Sequence, residues 1–119
     1  MRRPPDLPSV RAALWAARAV RGARAQLRTT APADVVLPRL PELPPSAERG
    51  VRAVLRRQPS TCLERALVLQ RWRAAHGDPR DVVIGVRGPA TSFSAHAWLE
   101  DEQVDPSVGP FEELLRVRP

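Results

Sequence analysis

The sequence predicts a small α+β protein in which helices precede a short antiparallel sheet. Apolar residues recur at helical spacing in three segments before residue 76, whereas the segments 82–86 and 93–100 are continuously apolar or alternate. Turn residues at 88–90 separate the two later segments. Helices followed by hairpin-type strands are typical of the α+β class, and 119 residues are enough for one domain at most.

The composition is that of a chain with one small core and a single thiol. Hydrophobic residues make up 43%, and Cys62 is the only cysteine, so an internal disulfide is excluded and a reducing compartment, the cytoplasm, is indicated. The chain has no run of eighteen apolar residues, so we expect no membrane-spanning helix. Its basic start is not followed by an apolar stretch, so a signal peptide is not expected.

Arginine supplies all 19 basic residues, and their distribution divides the chain. Residues 1–59 carry twelve arginines against four acidic residues, a net charge of +8, whereas residues 60–119 carry seven against nine, a net charge of −2. The basic half could bind an acidic partner. An Arg-rich surface that is only solvated is an equally open interpretation. Because no basic patch alternates with stacking aromatics, the sequence disfavours nucleic-acid binding.

The first helix is predicted from an N-cap at Ser9 to about Leu27, with an apolar stripe that includes Leu14. Five prolines between residues 31 and 45 bar helix and sheet interior there, so this stretch is predicted to be an extended tether. We interpret residues 1–45 as a partner-docking helix and tether, and residues 46–119 as the main domain. A chain lacking residues 1–45 is therefore expected to keep the mutual geometry of Cys62, His96 and Asp105 but to lose partner binding.

Two further helices are predicted. One runs from an N-cap at Ser46 to Arg57, although Gly50 weakens it. The other begins after Thr61, which together with Glu64 forms a capping-box pattern. Its apolar residues cover most of its circumference, which predicts a buried central helix.

Strands are predicted for the rest of the chain. Residues 82–86 form one, and the alternation over 93–100 places His96 and Trp98 on the face opposite Ala97. Asp101 and the glutamate after it would make a tight turn into a return strand that begins at residue 103. The tail, residues 109–116, is predicted to form one or two helical turns.

A candidate catalytic triad follows from this layout. Cys62 is predicted at the first helical position, where free backbone N–H groups and the helix dipole favour a thiolate. His96 on a strand could act as its base, and Asp105 on the next strand could orient the imidazole. The backbone N–H of Cys62 would supply one oxyanion donor, and Gln58 is a tentative second.

Each of these residues also has a structural interpretation. A lone cysteine is often a small buried hydrophobe, a strand histidine is often a core residue, and Asp105 precedes a proline in a good turn sequence. Asp101, at the turn itself, is a weaker candidate for the acid. No paired CxxC or HxxH spacing occurs, so neither a metal site nor a cofactor is predicted.

Three segments carry a resemblance to a known family. PSTCLERALVL at 59–69, VVIGV at 82–86 and FSAHAWLE at 93–100, followed by Asp105, resemble the leader peptidase of lasso-peptide biosynthesis. This is the transglutaminase-like cysteine protease domain of the lasso B protein, and the resemblance covers about residues 46–116. It implies a papain/transglutaminase-like core, with a central cysteine-bearing helix on a small antiparallel sheet.

The resemblance also implies roles and partners. Cys62 would be the nucleophile, His96 the base and Asp105 the orienting acid of a peptidase that cuts a precursor peptide between leader and core. Residues 1–45 are too short and proline-rich for the β-rich leader-binding domain of fused members, so the chain resembles the stand-alone, split form. A separate leader-recognition protein would then deliver the precursor, and a lasso cyclase of the asparagine-synthetase-like type would receive the core.

Two other functions stay open. A transglutaminase-like acyltransferase would form the same thioester intermediate and resolve it with an amine instead of water. A non-catalytic Arg-rich binding module would leave Cys62 buried and inert.

Overall fold

The computed structural model of the protein describes residues 6–88, 94–102 and 111–119. These residues contain helices followed by strands, as the sequence predicts. The helices are α1 (Leu7–Leu27), α2 (Glu48–Arg57) and α3 (Cys62–Ala75), and the strands are β1 (Val82–Arg87), β2 (Ser94–Leu99) and β3 (Glu112–Val117). Short 3-10 helices at Pro32–Asp34 and Pro45–Ala47 interrupt the tether. The α+β class is thereby confirmed.

The first helix begins earlier than predicted. Asp6 is its N-cap, and one of its carboxylate oxygens accepts the N–H of Ser9 at 2.9 Å. Ser9, the predicted cap, is therefore the third residue inside the helix and is buried. A carboxylate at the cap is favoured by the helix dipole as well as by this hydrogen bond, and Pro8 is tolerated in the first turn.

The second helix lacks the predicted serine cap, because the residues from Pro45 to Ala47 form a 3-10 turn that leads directly into it. Gly50 lies where α2 crosses α1. A Cβ atom built on Gly50 would lie 2.8 Å from the carbonyl carbon of Ser9 and 3.2 Å from the nitrogen of Ala13. The glycine that weakens the helix in isolation is thus required for the two backbones to approach this closely.

The third helix is the central element, as predicted. Residues 66–70 are all buried, and the helix packs against α1 on one side and β2 on the other. At its end His76 is the C-cap, and the next residue, Gly77, has a φ of +78°. The ring nitrogens of His76 lie 2.7 Å from the carbonyl oxygen of Trp72 and 2.9 Å from that of Leu43, which fixes the tether against this end of the helix.

The described strands form an antiparallel sheet of order β2-β1-β3. Val82 lies opposite Leu99 on β2 and Val117 on β3, and these three buried side chains form the face that packs on the helices. The helical turns predicted for residues 109–116 are wrong, because Glu112–Val117 is a strand. Pairing with β1 satisfies the backbone groups of the tail, which outweighs the weak local preference of its sequence for a helix.

The turn predicted at the end of β2 is present. Glu102 N–H donates to the carbonyl of Leu99 at 3.0 Å, and Asp101 has a φ of +68°, a conformation that aspartate tolerates. The return strand from residue 103, and with it Asp105, lies outside the described residues. The predicted pairing of that strand with β2 therefore stays a prediction.

The residues before position 46 share one core with the rest of the described chain. Trp15 donates its indole N–H to the carbonyl of Pro38 at 3.1 Å, and the side-chain amide of Gln26 exchanges hydrogen bonds of 2.6 and 2.8 Å with the backbone of Val36. The core residues of α1 are Ala12, Trp15, Ala16, Ala19 and Val20. Removing residues 1–45 would take this part of the core away, so the expectation that such a chain keeps its site geometry has no structural support.

Candidate active site

Cys62 is the first residue of α3, and a capping box fixes the start of that helix. Thr61 Oγ1 accepts the N–H of Glu64 at 3.1 Å, while Glu64 Oε1 accepts the N–H of Thr61 at 2.9 Å. These two bonds confirm the predicted cap. They set the backbone direction at Cys62, whose own N–H belongs to the first helical turn and precedes the helical hydrogen-bond ladder.

A second contact braces the same helix start from α1. Arg24 donates to both carboxylate oxygens of Glu64, at 3.2 and 3.0 Å, and to the carbonyl oxygen of Pro59 at 2.6 Å. Glu64 is only 4% exposed, so its charge is compensated by this bidentate pair. The first helix therefore helps to position the start of α3, where Cys62 lies, although Arg24 and Glu64 are 40 residues apart in the sequence.

The Glu64 carboxylate predicts a loss of stability in acid. Burial alone would raise the pKa of Glu64, but the hydrogen bonds from Arg24 and Thr61 outweigh burial and hold the pKa below its ordinary value of 4.5. Because the pKa of Glu64 is lower in the folded chain than in the unfolded chain, its carboxylate stabilises the fold fully above the unfolded-state pKa. This stabilisation is lost as the pH falls through the folded-state pKa. We expect the free energy of unfolding, measured in urea, to fall less between pH 7 and pH 3 in Glu64→Gln than in the wild type.

Glu112→Gln is the matched control for this measurement, because Glu112 is exposed on β3. An acid dependence in Glu64→Gln equal to that of the wild type would contradict the role of the pair. The neutral-pH stability of Glu64→Gln should also be lower, since a glutamine cannot form the charged pair with Arg24.

The thiol lies against the edge of β2 that faces away from β1. The backbone N–H of Ala97 donates to Cys62 Sγ at 3.3 Å. This N–H is not used in the pairing of β2 with β1, so among the described strands it lies on the open side of the sheet. The bond connects the start of α3 with the residue that directly follows His96.

His96 lies on the face of β2 opposite Ala97, within an aromatic cluster. Its ring stacks on Trp98 at a centroid distance of 5.9 Å and on Phe111 at 5.4 Å. Gly85 faces it across the β1–β2 ladder, and a Cβ on Gly85 would lie 2.9 Å from the Trp98 ring and 3.0 Å from Phe111. Gly85 thus leaves the space in which these rings close around the imidazole.

Cys62 and His96 open into the same cavity of about 730 Å³. The cavity combines apolar side chains, the polar pair and four charged groups. Its walls are formed by Arg52, Leu55, Arg56, Cys62, Arg65, Ala66, Leu69, His96, Ala97, Trp98, Leu99 and Glu102. The predicted nucleophile and base therefore both line one cavity, and their catalytic roles stay predictions.

The other predicted site residues are not among the described walls of this cavity. Gln58 is the C-cap of α2 and does not line the cavity; its backbone N–H donates to the carbonyl of Val54 at 2.8 Å. Its oxyanion role stays a prediction, as does the orienting role of Asp105, which lies outside the described residues. Asp101 occupies the turn after β2, is exposed and is not a wall of the cavity.

Sequence reasoning missed the groups that hold the site together. The brace from Arg24, the Ala97 N–H and the Phe111 ring all depend on contacts between distant segments. Only Trp98 carried a signal, because the alternation of β2 places it on the face of His96. The steric need for glycine at position 85 arises only in the folded chain, where the Trp98 ring and Phe111 pack over it.

The arrangement suits nucleophilic acyl chemistry. A thiol at a helix start and a histidine on the wall of the same cavity are parts needed to attack a carbonyl group and to move protons. Within residues 6–88, 94–102 and 111–119, no three His, Cys, Asp or Glu side chains lie close enough together to hold a metal ion. In the same described ranges, no helix is long and apolar enough to cross a membrane.

Comparison with known proteins identifies the family. A family model described as the transglutaminase-like superfamily matches residues 6–116, which is almost the whole chain and includes α1 and the tether. The superfamily includes cysteine peptidases, and its members are generally cysteine-dependent enzymes. No curated protein and no solved structure matches the chain at a significant level.

Proposed function

Since the chain belongs to the transglutaminase-like superfamily, we propose that it is a cysteine peptidase that removes the leader from a ribosomally synthesised lasso-peptide precursor. The observation that carries the proposal is the contact of Cys62 Sγ with the backbone directly after His96, in a cavity that the side chains of both residues line. The lasso-type substrate is supported by the motifs at 59–69, 82–86 and 93–100.

The proposed reaction has two steps. Cys62 Sγ attacks the scissile carbonyl while His96 takes the thiol proton, and His96 then protonates the departing amine, which is the N-terminus of the core peptide. The leader remains as a thioester until water, deprotonated by His96, releases it as a carboxylic acid. Asp105 would hold the imidazole in the required tautomer, and the Cys62 N–H with Gln58 would stabilise the oxyanion.

Reconstitution tests this function. The precursor, the leader-recognition protein and this chain are incubated, and the masses of the products are followed over time. We expect two fragments whose masses add to that of the precursor plus one water. A precursor that stays intact with wild-type protein, in the presence of its leader-recognition protein, would reject the peptidase proposal.

Acyl transfer is the second candidate, because the same superfamily and the same thioester support it. A labelled primary amine in the reconstituted reaction separates the two. Incorporation of the label at the leader carboxyl group, with release of the core amine, would favour acyl transfer. Hydrolysis without incorporation would favour the peptidase.

The partners are proposals of the same kind. We propose the cytoplasm as the site of the reaction, since its reducing conditions keep the single thiol available.

The leader-recognition protein would dock in a groove of about 640 Å³ between α1 and the tether, whose walls include Leu14, Arg11, Arg18 and Arg39. Leu14 is 60% exposed there, and three arginines against Glu42 make the groove basic, which suits an acidic partner surface. The asparagine-synthetase-like cyclase would then take the core peptide.

We expect Leu14→Asp to weaken binding of the leader-recognition protein by about tenfold or more, because it places a negative charge within an apolar contact. Isothermal calorimetry measures the change. Val36→Asp is the matched control, since Val36 is 74% exposed on the tether and lies outside the groove. Equal binding by wild type and Leu14→Asp would show that this partner docks elsewhere, and a loss confined to the cyclase would reassign the groove to it.

A further inference from the structure

The cavity around the thiol has more positive charge than its own carboxylate can balance. Among the described residues that line it, three are arginines and one is a glutamate, a net charge of +2. Arg52 is matched, because it contacts Glu48 at 3.0 Å and Glu102 at 3.2 Å. The unbalanced charge therefore belongs to Arg56 and Arg65.

These two arginines have no described acidic partner. Arg65 donates to the carbonyl oxygen of Ser60 at 2.6 Å, a neutral acceptor that orients the guanidinium without cancelling its charge. Arg56 is exposed in the last turn of α2. Among the residues that the structure describes, no carboxylate lies within ion-pair distance of either one.

Their positions relate them to the reacting sulfur. Arg65 follows Cys62 by three residues on α3, so both side chains project from one face of the helix. Arg56 lies on the neighbouring helix and lines the same cavity. A ligand that reaches Cys62 therefore passes into a field of two positive charges beside apolar side chains such as Leu55 and Leu69.

We infer that this cavity selects peptides with an aspartate or glutamate side chain next to the bond that is cut, and that Arg56 and Arg65 bind its carboxylate. Guanidinium groups pair with carboxylates through two parallel hydrogen bonds, which gives both attraction and orientation. The inference rests on the proposed peptidase function for its substrate, but the basic character of the cavity can be tested without any cleavage.

The first test measures alkylation of Cys62. Iodoacetate and iodoacetamide both modify a thiolate, but only iodoacetate is an anion, so the ratio of their rates reports the charge of the cavity. The reactivity of the thiol itself cancels in this ratio. At low salt we expect the ratio to fall roughly fivefold in the double variant Arg56→Gln/Arg65→Gln and to fall in the wild type as salt is added.

Arg57→Gln and Arg71→Gln are the matched controls, because both arginines are exposed on the same two helices and neither lines the cavity. Their ratios should equal that of the wild type. A wild-type ratio in the double variant would overturn the inference. A Cys62 that neither reagent modifies would overturn it too, since the cavity would then not admit a ligand.

The second test uses the reconstituted cleavage reaction. Precursors that carry glutamate or glutamine, one position at a time on either side of the cut bond, are compared by kcat/KM. We expect one position at which glutamate is preferred by about tenfold, with the preference lost in the double variant and reversed toward glutamine in Arg56→Glu/Arg65→Glu. Equal cleavage of every pair would reject the selectivity while the peptidase proposal stands. No cleavage at all would reject the peptidase proposal, and the alkylation ratio would still decide the charge of the cavity.

Discussion

Replacing Cys62 with alanine is expected to lower the rate of leader removal by roughly 10⁴-fold or more, in line with the loss of a nucleophile in other covalent hydrolases. Without Sγ no thioester can form, and what remains is the smaller acceleration from substrate binding and oxyanion donors. Product masses followed under single-turnover conditions measure this change. The variant should fold normally, because alanine is small and Cys62 is only half-buried at the start of α3.

The other members of the proposed triad, His96 and Asp105, should act as one unit with Cys62. His96→Gln alone should cost a comparable factor, and adding it to Cys62→Ala should cost little more. Asp105→Asn should reduce the rate, whereas Asp101→Asn, which changes the exposed turn, should not. The opposite result for the two aspartates would move the orienting acid to the turn.

Two results would contradict the catalytic role. Cleavage at the wild-type rate by Cys62→Ala would rule out the sulfur as nucleophile. A native protein whose Cys62 resists iodoacetamide, and whose precursor stays intact, would instead favour the non-catalytic Arg-rich binding module.

The local features of the site could be predicted, because they depend on neighbours in the sequence. The capping box between Thr61 and Glu64 spans three residues, and the alternation that separates His96 from Ala97 spans two. Both follow from backbone geometry that any chain with these residues would adopt. The structure therefore confirms the predicted start of α3 and the predicted facing of β2.

The contacts that complete the site could not be predicted in this way. Arg24 reaches Glu64 across 40 residues, and Ala97 reaches Cys62 across 35. Nothing near Arg24 in the sequence distinguishes it from the other arginines of α1. The tail has the same limit, because Glu112–Val117 forms a strand by pairing with β1, which is distant in the sequence.

The largest effect on stability is expected at Gly50, where α1 and α2 cross. In Gly50→Ala the new methyl group would overlap the carbonyl group of Ser9, and backbone atoms cannot turn aside as a side chain can. The helices would have to separate. We therefore expect the free energy of unfolding to fall by about 3 kcal/mol and the melting temperature to fall by on the order of 10 °C. Thermal and urea unfolding followed by circular dichroism measure both.

Gly22→Ala is the matched control, because Gly22 is also helical but an added Cβ would meet only the side-chain amide of Gln26, at 4.0 Å. That substitution should raise stability by roughly 0.5–1 kcal/mol, the gain expected for alanine over glycine inside a helix. Opposite signs at the two glycines would show that α1 is a structural part of the folded unit. A Gly50→Ala protein as stable as the wild type would mean that α1 is displaceable, and only then could residues 1–45 be the separable docking segment that the sequence indicates.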